Sequence, residues 1–153
     1  LRNHFCQLRL SKWPFCRMFE RLPTGVAALW WGSLSTIGFL VVPMLFAHLA
    51  TPAIAGNMAA KLFSAQTWIT LICGLLLLMF SRPHGDVKLS PWAKDVMGWI
   101  AAGMLSALIL EFAVAPHIVA RDNLRLWHSI GSLLWVGQWL SVGRILWRLS
   151  APR

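Results

Sequence analysis

The sequence predicts an all-α integral membrane protein: a four-transmembrane-helix bundle with a short interfacial helix between spans one and two. Three observations carry this. Of the 153 residues, 58% are apolar and 12% charged, about half the charged share of an ordinary soluble domain. Apolar stretches of spanning length recur four times along the chain. Ten Trp and no Tyr suit the membrane–water interface, where an indole keeps its ring in lipid and its N–H in the headgroups.

Residues 1–17 form a basic segment. Translation starting at Met18, just before the first span, is the expectation, with 1–17 upstream of the true start or a disordered tail. An Arg-rich, acid-poor targeting segment is the alternative. Residues 18–153 then form one membrane domain. Span one covers about 26–50, and its length rules out the ~7–15-residue apolar core of a cleaved signal. Pro43 lies in its outer third and should kink or locally unwind it, because proline removes a backbone donor and its ring crowds the preceding turn. Thr51-Pro52 has the form of a helix cap followed by proline at the first helical position. Ile54, Met58 and Leu62 recur at a spacing of four, which predicts the short interfacial helix over 52–63. Span two follows at about 65–81, span three at 96–116 and span four at 126–146.

The net charge of +9 does not point to nucleic acid. The basic residues flank the apolar runs, and no zinc-finger, RNP or basic-helix pattern accompanies them, so lipid headgroups are their partners. Eleven of the fourteen Lys and Arg fall on one side of the predicted topology. They lie in the N-terminal segment, in the loop carrying Arg82, Lys88 and Lys94, and at Arg144, Arg148 and Arg153. Lys61, Arg121 and Arg125 occupy the other side. The positive-inside rule puts both termini in the cytoplasm. Trp30, Trp31, Trp99 and Trp147 are then expected in the cytoplasmic belt, and Trp68 and Trp127 in the outer one.

Helices in lipid associate through small residues. Ala28-Gly32-Thr36 in span one, with Gly98-Ala102-Ser106 and Gly103-Ala107-Glu111 in span three, predict close contact between spans one and three. Glu111 stands out, because an intramembrane carboxylate is unfavourable and faces a bundle interior with a partner. Its readings are a proton relay, a metal ligand, or an acid fixed by a hydroxyl or by Gln138, the polar group inside span four. His48, His117 and His128 all fall at the outer boundary, with Met44 one turn before His48. Imidazole with thioether suits copper or a haem iron, whereas helix-end histidines meeting only water are the plainer alternative. Cys6, Cys16 and Cys73 show no metal-ligand or disulfide spacing. No nucleophilic triad, P-loop or dinucleotide motif occurs.

Leu29-Trp30-Trp31-Gly32, the run Phe39-Leu40-Val41-Val42-Pro43-Met44-Leu45-Phe46, and Ala55-Gly56-Asn57-Met58-Ala59-Ala60-Lys61-Leu62-Phe63 resemble a four-span bacterial family. This is the domain of unknown function 4149, also described as transmembrane protein 205-like. Pro116, Arg121 and His128 continue the likeness, which covers about residues 18–148. The resemblance implies a four-helix protein of the bacterial inner membrane. The Trp-x-Gly pattern followed by an apolar run and Pro is also similar to CopD-like membrane proteins, whose paired intramembrane histidines are not found here.

The function expected on these grounds is a non-catalytic binding or structural role in the inner membrane, linked to a metal or a small hydrophobic compound. The alternatives are a haem- or copper-binding redox protein, and an accessory subunit of a larger membrane complex. Lipids, a second copy of the chain or such a complex are the partners that an apolar outer surface would take.

Overall fold

The computed structural model describes residues 14–82 and 91–151. The basic segment expected at 1–17 falls outside them up to residue 13, as does most of the loop after span two. The described chain folds into four long helical rods, with no strand among the described residues. Rod α1 runs through Pro14–Thr36, a π-helical turn at Ile37–Val41, and Val42–His48. Rod α2 is Pro52–Phe80. Rod α3 comprises Pro91–Ile109, a second π-helical turn at Leu110–Val114, and Ala115–Val119. Rod α4 is Leu124–Ser150.

Three helices are long and apolar enough to cross a membrane: Arg21–His48, Pro52–Phe80 and Trp92–Val119. At about 1.5 Å per residue each reaches roughly 40 Å, beyond the ~30 Å hydrocarbon core. Within them the backbone donors and acceptors are met inside the helix itself, the arrangement that lipid requires, and Glu111 is the acid carried inside the third.

The interfacial helix expected at 52–63 is not a separate element. Thr51, extended at φ −140°, caps the start by accepting from Ile54 N at 3.3 Å, and Pro52 occupies the first turn. From there α2 continues unbroken for 29 residues. No Pro or Gly stands near Ser64 to end it, and the spacing of Ile54 and Met58 marks the outer face of a longer helix, where both are exposed.

Pro43 does disturb α1, through a π-turn rather than a break. Val42 N bonds Ile37 O, five residues back, which widens the helix just before the proline. Rod α3 repeats the device, with Ala115 N bonding Leu110 O ahead of Pro116. Both turns end two residues before the proline, in Phe39-Leu40-Val41-Val42-Pro43 and Phe112-Ala113-Val114-Ala115-Pro116. A wide turn of this kind relieves the ring's clash with the carbonyl below it.

The bundle is closed by α1–α2, α2–α3, α3–α4 and α1–α4 contacts, with α3–α4 the most extensive. Rods α1 and α3 therefore lie on the diagonal, which corrects the expected backbone contact between them. The stripe Gly98-Ala102 faces outward, as do Ala28 and Thr36. The other stripe of α3, Gly103 and Ala107, is buried. Across the diagonal only a side chain reaches: a Cβ on Gly103 would lie 3.1 Å from the Trp30 ring. Trp30 is fully buried in the core with Leu34, Leu77, Ile100 and Ile145, so it does not belong to the interfacial belt expected for it. Trp68, Trp99 and Trp147 are exposed on the outer surface.

That surface is apolar. Phe112, Leu133, Met79 and Trp147 are each more than 70% exposed, whereas the interior holds Gln66, Thr70, Gln138 and Ser141. A water-soluble fold would hide the former set and display the latter.

Gly103→Val should drive its branched side chain into the Trp30 ring and destabilise the bundle by about 1–3 kcal/mol. Gly32→Ala has open space around the new methyl and should leave stability unchanged or raise it by up to about 1 kcal/mol through helix propensity. Thermal unfolding of the purified variants in detergent measures both.

Candidate functional site

A layer of polar side chains crosses the middle of the bundle. Rod α2 supplies Gln66, Thr67 and Thr70, buried together on one side of the helix, and Ser64 one turn before Thr67 on the side toward α3. Thr70 Oγ1 accepts from Trp30 Nε1 at 3.0 Å and from Gln138 Nε2 at 2.9 Å. One hydroxyl thereby joins α1, α2 and α4. One turn away, Gln66 Nε2 donates to Ser33 Oγ at 3.0 Å, and Ser33 Oγ donates to Trp30 O at 2.9 Å. A further bond ties α4 to α1, from Trp139 Nε1 to Ser35 Oγ at 2.8 Å.

The layer is not closed. Gln66 and Gln138 are each 1% exposed, yet among the described residues Gln66 Oε1 and Gln138 Oε1 have no partner, nor do the indole N–H groups of Trp31 and Trp135. Buried polar atoms are normally paired, and each one left open is unfavourable by about 1–3 kcal/mol. Two acceptors and two donors thus remain unengaged inside the protein. Trp135 lies edge-on to Phe63, ring centres 4.9 Å apart. A Cβ on Gly38 would stand 2.5 Å from Trp135 Nε1, so only glycine admits the indole there.

Glu111 occupies the second residue of the α3 π-turn and is partly buried. Its Oε1 accepts from Ser64 Oγ of α2 at 2.8 Å. Of the partners expected for it, the hydroxyl is the one used, and Gln138 turns instead to Thr70.

The residues expected at the outer boundary have separate surroundings. Met44 is 51% exposed on α1, and His48 Nδ1 stands 3.0 Å from Met44 O in its own helix. The His117 ring stacks on Trp127 with centroids 4.1 Å apart, and its Nδ1 lies 3.5 Å from Asp122 Oδ2. His128 is exposed near the start of α4, one turn in from Leu124. Among the described residues no group of three or more His, Cys, Asp or Glu is placed to hold a metal ion.

Ser33, Ser64, Gln66 and Thr70 were not singled out in the sequence, and Trp30 was read as an interfacial residue. The available signal was Gln66, Thr67 and Thr70 in an otherwise apolar run, a polar stripe at helical spacing.

Outward apolar faces, spanning lengths and a buried polar layer within an apolar core mark the described residues as those of an all-helical membrane protein. The chain belongs to the family described as Domain of unknown function (DUF4149), whose model matches residues 25–125, from α1 into the second residue of α4. No curated protein and no solved structure matches it.

Thr70→Val keeps the side-chain shape but leaves the Trp30 and Gln138 donors without an acceptor. The loss should be about 1–3 kcal/mol, at the upper end of what interhelical bonds in lipid provide. Thr67→Val removes only a bond to its own helix, Thr67 Oγ1 to Phe63 O at 3.2 Å, and should change stability by less than about 1 kcal/mol. Paired thermal melts in detergent distinguish them.

Proposed function

We propose that this protein is a four-span protein of the bacterial inner membrane, with both termini in the cytoplasm and a non-catalytic binding or structural role within the bilayer. The observation that carries it is the apolar outer surface of the bundle, which extends to α4. That helix has no Lys, Arg, Asp or Glu between Arg125 and Arg144. Along its outer side Leu126, Leu133, Leu140 and Trp147 are exposed at intervals of seven. A stripe of this kind serves lipid contact. Its length of 27 residues is enough to cross, at about 1.5 Å per residue.

Charge supports the orientation. Arg82, Lys94, Arg144 and Arg148 are exposed toward one end of the rods, and Lys61, Arg121 and Arg125 toward the other. Arg148 and Asp95 form a loose exposed pair, 3.9 Å apart, which contributes little stability.

Single cysteines introduced into a cysteine-free background test the topology. Asp95→Cys and Arg148→Cys should be shielded from an impermeant maleimide in intact cells and react once the membrane is opened. Asp122→Cys should react in intact cells. Asp122→Cys and Arg148→Cys, at opposite ends of α4, responding from the same side would sink the four-span reading.

A further inference from the structure

The two π-turns occupy corresponding places in α1 and α3, and their second residues are Gly38 and Glu111. Each lies five residues before a proline. In a five-residue register the proline nitrogen would be the donor to that residue's carbonyl, and proline has no N–H. The carbonyls of Gly38 and Glu111 therefore lose a backbone donor within the bundle. Near Gly38 stands a donor, the indole N–H of Trp135. The corresponding position in α3 presents the opposite chemistry: the Glu111 carboxylate, with the hydroxyl of Ser64 2.8 Å from its Oε1.

That arrangement concentrates oxygen. The Ser64 hydroxyl takes one carboxylate oxygen, the carboxylate has a second to offer, and the carbonyl freed by Pro116 belongs to the same residue. Interrupted helices in membranes bind cations in this way, through backbone carbonyls joined by hydroxyl and carboxylate oxygens. A structural role alone does not call for an acid. A glutamine would accept the same bond from Ser64 without the penalty that a carboxylate incurs inside a membrane. What the carboxylate adds is exchangeable charge. Resting on the membrane reading above, we propose that Glu111 and Ser64 form an intramembrane site for an exchangeable monovalent cation, a proton or Na⁺, on the seam between α2 and α3.

Labelling with the hydrophobic reagent dicyclohexylcarbodiimide tests this in native membranes. The protonated carboxyl transfers its hydrogen to a reagent nitrogen while its oxygen bonds the central carbon. Acyl migration to nitrogen then fixes a stable adduct with no leaving group, which peptide mass spectrometry locates. The adduct should map to Glu111, be absent in Glu111→Gln, and leave the water-exposed Asp95 and Asp122 unlabelled. Protection by Na⁺ relative to choline at constant pH identifies the metal ion. Protection by alkaline pH alone identifies the proton. Ser64→Ala should shift the cation concentration for half-protection by about tenfold, the weight of a hydrogen bond to a charged group.

No adduct at Glu111, or one that neither Na⁺ nor pH alters, would overturn the site. Carbonate-resistant membrane insertion of the same sample separates that outcome from failure of the membrane reading. Mapping in the wild-type protein carries the test even where Glu111→Gln folds poorly.

Discussion

Thr70 Oγ1 is the point on which the bundle turns. Lipid offers helices no hydrophobic reason to associate, and most of the apolar surface here faces outward. What specifies the arrangement is a small set of polar contacts that cannot be met by lipid. Thr70 accepts from α1 through Trp30 and from α4 through Gln138, fixing three rods at once. The burial of Trp30, its contact with Gly103 and the diagonal placement of α1 and α3 follow from that junction. Gly74 beneath Met104 and Gly143 beneath Trp31 complete the packing, each a glycine receiving a long side chain from a neighbouring rod.

The prolines give the rods their second common feature. A transmembrane helix tolerates proline when its surroundings absorb the lost bond, and both Pro43 and Pro116 are accommodated by the same wide turn. The two turns then diverge in chemistry. One is covered by an aromatic ring that only Gly38 admits, and the other carries the one acid placed deep in a span. A shared backbone device thus serves packing in α1 and presents an ionisable group in α3.

Much of this was legible in the sequence, and the limits have physical causes. Apolar runs revealed the long helices, the Thr51-Pro52 start and the disturbance at Pro43. They could not show its form, because a π-turn and a kink draw on the same residues. Ile54, Met58 and Leu62 misled, since a spacing of four describes an interfacial helix and the lipid face of a long rod equally well. Glu111 was visible as an anomaly and its inward stripe as a direction. Ser64 as its partner depends on the vertical register of α2 against α3, which no local pattern encodes. Trp30 and the span-one stripe failed for a related reason: depth along a helix was readable, but the side facing the bundle was decided by contacts from other rods.

Cysteine cross-linking in native membranes tests the central junction most directly. In a cysteine-free background, Thr70→Cys with Gln138→Cys should be joined within one chain by a short bismaleimide that spans the gap left by the shortened glutamine, because the native side chains meet at 2.9 Å. Gly32→Cys with Ala102→Cys, on diagonal helices, should remain unlinked within one chain. Efficient intramolecular cross-linking of the second pair, with none for the first, would contradict this arrangement.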